Sequence, residues 1–238
     1  MDVLSITGRK GMIAQVTAEY ILAASILSAD FLCLGDSIRE AEEAGADWIH
    51  IDIMDGHFVP NLSLGPAVVE ACRRATRLPL DVHLMVDRPD HLLEAFARSG
   101  STYLTVHVEA CPDIHRTLGT IRALGLKPGI ALNPGTPVTA IFQTAGEVDL
   151  IRVMAVHSGF AGQDFIPSVL EKVEVARSWR TSGRTSAWIQ VDGGIKTSTV
   201  AMAARAGADA FAVATAVFQH PAGIRAGIQE LRDALARA

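Results

Sequence analysis

The sequence predicts a single (β/α)8 barrel, the TIM barrel, and three observations carry that expectation. Apolar runs of strand length alternate with amphipathic, helix-like stretches along the whole chain beyond residue 20. Several runs are rich in β-branched residues and almost continuously apolar, as strands are when helices cover a parallel sheet. Eight strand–helix units in a chain of 238 residues also suit a fold whose usual size is about 250 residues.

The strand candidates fall at 21–27, 48–54, 80–85, 103–108, 129–132, 150–156, 187–191 and 210–214. Amphipathic segments lie between them at 36–44, 66–75, 89–98, 113–124, 169–179 and 197–206. Gly45, Gly100, Gly125 and Gly207 close four of these segments, where a left-handed C-terminal cap favours glycine. Ala44-Gly45-Ala46-Asp47 before the second strand recurs as Ala206-Gly207-Ala208-Asp209 before the eighth, an internal echo that fits repeated units. An open doubly wound sheet is the competing architecture, but its Gly-x-Gly-x-x-Gly turn after the first strand is missing. Residues 1–20 read as a tail or extension, with Met12 a possible second start, and residues 21–238 as one catalytic domain.

Composition narrows the function classes. A net charge of -5 supplies no basic surface for nucleic acid, and 49% hydrophobic residues rule out disorder. The longest apolar stretches, such as 210–218, are about half a membrane span, so no membrane partner is expected. Cys33, Cys72 and Cys111 are too few and too scattered for a zinc ribbon or a disulfide framework. The N-terminal segment has no long apolar core, and the expected setting is the reducing cytoplasm.

A barrel places chemistry at the C-terminal ends of its strands. In the second strand His50, Asp52 and Met54 share one face while Ile49, Ile51 and Ile53 take the other. The polar set then points into the barrel, where imidazole and carboxylate are costly unless paired or bound to metal. The third strand repeats this with Asp81, His83 and Met85, and the seventh ends in Val191-Asp192-Gly193-Gly194. Two histidines and two carboxylates converging in this way suit Zn²⁺, Fe²⁺, Mn²⁺ or Co²⁺. A His–Asp hydrogen-bond network without metal is the alternative reading of the same residues.

Six segments in order resemble the ribulose-phosphate 3-epimerase family. They are Ile26-Leu27-Ser28-Ala29-Asp30-Phe31, HIDIMDGHFVP at 50–60, LDVHLMV at 80–86, TVHVEAC at 105–111, GFAGQDFIP at 159–167 and VDGGI at 191–195. The resemblance implies one divalent ion per subunit, zinc favoured, held by His50, Asp52, His83 and Asp192. It implies that Asp52 accepts and Asp192 donates the C3 proton of a ketose phosphate through a cis-enediolate, in one direction of a reversible reaction. Met54, Met85 and Met154 resemble the cap above the enediolate, and equally suit a barrel core. Ser25 matches a substrate-contacting serine or serves as a strand-end cap, and His83 also faces substrate. His107 is expected to be a satisfied rim residue, His57 to lie in a loop, and Asp81 to support His83 or the barrel floor. The family commonly assembles into dimers or hexamers, so a homo-oligomer is expected.

Phosphate is expected against Gly159, Phe160, Ala161 and Gly162 after the sixth strand, with Gly193, Gly194, Ala214 and Thr215 completing the site. The pattern departs from the family there. Ala214-Thr215 stands for Gly-Ser, Ala161 replaces a glycine, and His157-Ser158 replaces an acidic or amide residue followed by proline. These changes leave the metal set intact and bear on the substrate. D-Ribulose 5-phosphate is the leading expectation, with D-allulose 6-phosphate or a catalytically silent sugar-phosphate sensor as alternatives. A barrel lyase is disfavoured, because Lys10, Lys127, Lys172 and Lys196 are the only lysines and none sits inward at a strand end.

Overall fold

A computed structural model describes residues 20–238, so the predicted tail at 1–20 lies outside the described residues except for Tyr20. Eight parallel strands close into a barrel in chain order, with the first pairing to the eighth. They are β1 Ile21–Ser25, β2 Trp48–Met54, β3 Leu80–Met85, β4 Tyr103–His107, β5 Lys127–Leu132, β6 Leu150–Met154, β7 Trp188–Asp192 and β8 Ala210–Val213. The helices are α1 Leu34–Glu43, α2 Pro66–Ala75, α3 Leu93–Arg98, α4 Ile114–Ala123, α5 Leu170–Thr181, α6 Thr197–Ala206, α7 Thr215–Phe218 and α8 Ile224–Leu235. The TIM barrel read from sequence is the fold found. Tyr20 belongs to it: its ring packs 6.1 Å from Phe211, and its carbonyl accepts from Arg232.

Local chemistry sets the element ends. Pro66 opens α2, where its missing N–H costs nothing, and Asp113 caps α4 by accepting from the Arg116 amide. Gly45, Gly100, Gly125 and Gly207 all take positive φ at helix C-termini, as expected. The regular alternation breaks between β5 and β6. Asn133-Pro134-Gly135-Thr136-Pro137 cannot continue a helix, and this crossover holds only a 3-10 turn, Val138–Ile141. Lys172 secures the loop instead, its ammonium donating to the carbonyls of Asn133, Pro134 and Thr136. Two helices, α7 and α8, follow β8.

Strand alternation divides the apolar residues as predicted. Ile49, Ile51 and Ile53 join the core between sheet and helices. Inside the barrel, Ile21, Ala23, Trp48, Tyr103, Leu150 and Ala210 form an apolar floor, with Trp48 stacked on Tyr103 at 4.5 Å. Above that floor lies a polar layer, His50, Asp81, Thr105, Arg152 and Gln190, every member fully buried. Met54 and Met85 pack with Val59 at the mouth.

The layer is tight at β5, where Gly129 stands in register with Thr105. A Cβ on Gly129 falls 2.2 Å from Thr105 Oγ1 and 3.2 Å from its Cα. Gly129→Ala is therefore expected to destabilise the barrel by about 1–3 kcal/mol through overpacking. A thermal melt checks this, and an unchanged Tm contradicts it.

Candidate active site

β2, β3 and β7 bring their polar ends to one point. Asp52 Oδ1 lies 3.0 Å from His50 Nε2 and 2.9 Å from His83 Nδ1. Asp192 Oδ2 lies 3.5 Å from the same His50 nitrogen and 3.6 Å from the same His83 nitrogen. Each of the four residues offers a ligand atom, and these atoms all fall within 4.8 Å of one another. Pairing explains the convergence: Asp52 is in register with His83, while β7 is carried round the barrel to face them. Asp192 Oδ2 is buried and has no hydrogen-bond partner among the described residues. Nitrogen and oxygen donors in this number, one of them an unsatisfied carboxylate oxygen, fit a divalent first-row cation.

The charges differ sharply across the cluster. Burial alone opposes charge on Asp52, but His50 and His83 outweigh it and hold Asp52 well below the usual carboxylate range. Burial dominates at Asp192, aided by the nearby charge of Asp52, and pushes it up to about 6. Burial likewise opposes charge on His50, yet the surrounding carboxylates, led by Asp52, raise it to about 10. His83 is fully buried and, with Arg152 nearby, is held well below the ordinary histidine value. One carboxylate is thus firmly ionised and the other is poised to carry a proton, the separation that acid–base catalysis requires.

Asp81 supplies the foundation. Its oxygens accept from His50 Nδ1 at 2.8 Å, from Arg152 Nη2 at 2.7 Å and from Gln190 Nε2 at 3.0 Å. Arg152 Nε donates in turn to Gln190 Oε1 at 2.7 Å. The expected support of His83 by Asp81 is therefore corrected: Asp81 stands in register with His50 and braces that ring. His107 is also corrected, from rim to interior. It is fully buried, its Nε2 is 2.8 Å from His83 Nε2, and its other nitrogen faces Glu109. His57 lies in the β2–α2 loop as expected, its amide donating to Asp55.

A cleft of about 180 Å³ opens over the cluster. Asp52 and Asp192 line it, while His50 and His83 are fully buried. Ser25 reaches it from β1, with Oγ 3.2 Å from Asp52 Oδ2, and Met54, Met85 and Met154 form apolar wall. The far side is built from Gly159, Phe160, Ala161 and Gly162, facing Gly193, Gly194, Ala214 and Thr215. The glycine pair is required there. Gly193 has φ +105 and a Cβ would fall 2.4 Å from Val156, while Gly194 has φ +64 and a Cβ would fall 2.7 Å from the Phe165 backbone nitrogen. Gln163 bonds the carbonyls of His157 and Phe160, and Asn61 bonds that of Gly159, tying this loop to the one after β2.

Sequence reasoning missed Arg152, Gln190 and Glu109, and set Lys196 aside as not placed inward at a strand end. Arg152 shares its strand face with Met154, so alternation already pointed it inward. Lys196 lines the cleft immediately after the Gly193-Gly194-Ile195 turn. Because Asp81 has no exposed surface, removing Arg152 leaves its buried charge with only His50 and Gln190 to offset it. Arg152→Met is expected to cost about 3–5 kcal/mol in urea unfolding, and a loss below about 1 kcal/mol contradicts this account.

Comparisons with known proteins agree with the geometry. The family model described as "Ribulose-phosphate 3 epimerase family" matches residues 21–218. The ribulose-phosphate 3-epimerase of Bacillus subtilis (strain 168) is 50% identical over 198 residues, covering 83% of this chain and 91% of that protein. The Synechocystis (strain ATCC 27184 / PCC 6803 / Kazusa) protein of the same name is 47% identical over 203 residues, covering 84% and 88%. Among solved structures, a 3-hexulose-6-phosphate synthase superposes with a TM-score of 0.64 at 17% identity, covering 91% of this chain and 99% of that one, which shows the shared fold. No helix among the described residues is long and apolar enough to cross a membrane. By sequence and by fold, the chain belongs to the ribulose-phosphate 3-epimerase family and is an isomerase acting on carbohydrates.

Proposed function

We propose that the chain interconverts D-ribulose 5-phosphate and D-xylulose 5-phosphate by moving the proton at C3. The observation that carries this reading is the pair Asp52 and Asp192, which reach one cleft from separate strands with acidities pushed apart. Ionised Asp52 takes the C3 proton from one face, and Asp192 delivers a proton to the other. The roles exchange in the reverse direction, and the substrate passes through a cis-enediolate. Ser25 orients the sugar oxygens from the cleft wall, while His83, expected from the sequence to face substrate, is fully buried and acts only within the ligand cluster. Met54, Met85 and Met154 present an apolar surface that keeps water from the planar intermediate.

His50, Asp52, His83 and Asp192 would hold one divalent ion per subunit, Zn²⁺, Fe²⁺, Mn²⁺ or Co²⁺, with Zn²⁺ favoured. Such an ion, when bound, supplies Lewis-acid polarisation of the substrate carbonyl. The phosphate lies between the 159–162 loop and the Gly193-Gly194 turn, with Ala214 and Thr215 beside it. The curated relatives that align over most of the chain carry the ribulose-phosphate name, which favours the pentulose phosphate over D-allulose 6-phosphate. Retention of both aspartates argues against a silent sensor. The same reading carries a cytoplasmic, homo-oligomeric enzyme, dimer or hexamer.

Epimerisation of D-ribulose 5-phosphate should be lost on chelation and regained with Zn²⁺, Fe²⁺, Mn²⁺ or Co²⁺. Turnover of D-allulose 6-phosphate at an equal or higher rate overturns the substrate. Asp192→Asn should lower kcat at least about 100-fold, and unchanged turnover removes the two-carboxylate mechanism.

Metal binding should also release protons. His50 keeps its proton up to about pH 10 in the metal-free protein, and a cation on Nε2 must displace it. Calorimetry in buffers of different ionisation enthalpy should show about one proton released per ion near neutral pH. The number should rise toward two below about pH 6, where Asp192 is protonated as well. Release of none contradicts the charge assignment.

A further inference from the structure

The cleft over the cluster is acidic. Asp52, Asp164 and Asp192 line it, and among the described residues Lys196 is the only basic side chain that does. Other cations nearby are already committed. Lys172 gives its ammonium to the carbonyls of Asn133, Pro134 and Thr136. Arg152 is fully buried in the polar layer, against Asp81.

The turn that carries Lys196 is held in place, and its side chain is not. Thr199, buried in the first turn of α6, donates through Oγ1 to the Gly194 carbonyl at 2.8 Å and accepts from the Lys196 amide at 2.9 Å. The Lys196 carbonyl accepts from the amides of Thr199 and Val200 at 3.0 and 2.9 Å. These bonds fix the backbone that follows Gly194, so the lysine stem starts from a set point on the cleft wall. The side chain is exposed, and its ammonium takes part in no hydrogen bond or ion pair among the described residues.

A phosphate monoester carries close to two negative charges at neutral pH. The 159–162 loop and the Gly193-Gly194 turn offer it backbone groups but no full positive charge, and the carboxylates of the cleft oppose it. An ammonium on a flexible stem is the chemistry that meets phosphate as a point charge. We propose that Lys196 is a substrate-binding residue whose ammonium pairs with the phosphate dianion of the ketose phosphate. This rests on the phosphate placement given above. The phosphate takes no part in the change at C3, so the pairing is alike in ground and transition states and acts on KM more than on kcat. It also acts through charge at an exposed position, so salt screens it.

The test compares full-length, metal-loaded wild type with K196M. The variant should raise KM for D-ribulose 5-phosphate about tenfold, with the smaller part of the loss in kcat, and should weaken inhibition by inorganic phosphate by a similar factor. Both gaps should close as potassium chloride is raised toward about 1 M, where the Debye length is about 3 Å. The Tm should stay near that of wild type, because the side chain leaves no partner behind. K196M with the KM and phosphate inhibition of wild type overturns the proposal, as does a loss that salt leaves unchanged. Should wild type fail to turn over the sugar phosphate, the functional reading fails, and calorimetric binding of inorganic phosphate still decides the role of Lys196. Weaker binding by K196M then upholds it, and equal binding, or none by wild type, overturns it.

Discussion

The ion pair between Asp81 and Arg152 has no exposed surface on either side, and the rest of the site is arranged around it. Each charge in isolation costs several kcal/mol to bury, so each must be satisfied by the other and by hydrogen bonds. Gln190 completes the set, giving to Asp81 and receiving from Arg152. Held ionised between them, Asp81 takes the Nδ1 hydrogen of His50 and leaves the opposite nitrogen aimed at Asp52. A polar layer thus sits between an apolar floor and the reactive mouth, and the barrel's closed hydrogen bonding gives it no freedom to relax.

The same layer explains why two aspartates a few ångströms apart behave differently. Asp52 is flanked by both histidines and by Ser25, which stabilise its charge. Asp192 has an oxygen with no hydrogen-bond partner among the described residues and Arg152 only at 3.6 Å, so burial prevails and its proton is held more tightly. A reaction that removes a proton from one side of a carbon and returns one to the other needs this inequality. The apolar methionines above the cluster and the glycine turns beside it form the walls of the cleft.

Much of this was legible from strand alternation. The parity of His50, Asp52 and Met54 against Ile49, Ile51 and Ile53 already separates barrel interior from helix-facing core. Two such strands and an Asp-Gly-Gly terminus suffice to assemble the cluster once the strands are ordered round a barrel. What remained hidden depends on partners distant in sequence. Arg152 pairs with Asp81 across 71 residues and Gln190 with Asp81 across 109, and no local pattern announces either contact. Nothing local in TVHVEAC shows that His107 meets His83 on the neighbouring strand, a contact that leaves it fully buried and not at the expected rim. The crossover after β5 holds a 3-10 turn where the sequence offers no amphipathic segment and is punctuated by Pro134 and Pro137.

The most direct measurement of the central claim is the position of solvent hydrogen in the product. Metal-loaded protein would convert D-ribulose 5-phosphate in D2O, and proton NMR would read each carbon of the xylulose 5-phosphate formed. Proton exchange through Asp52 and Asp192 predicts deuterium at C3 of the product and at no other carbon. Product that retains its original hydrogen at C3, or carries deuterium only at C1, contradicts the account.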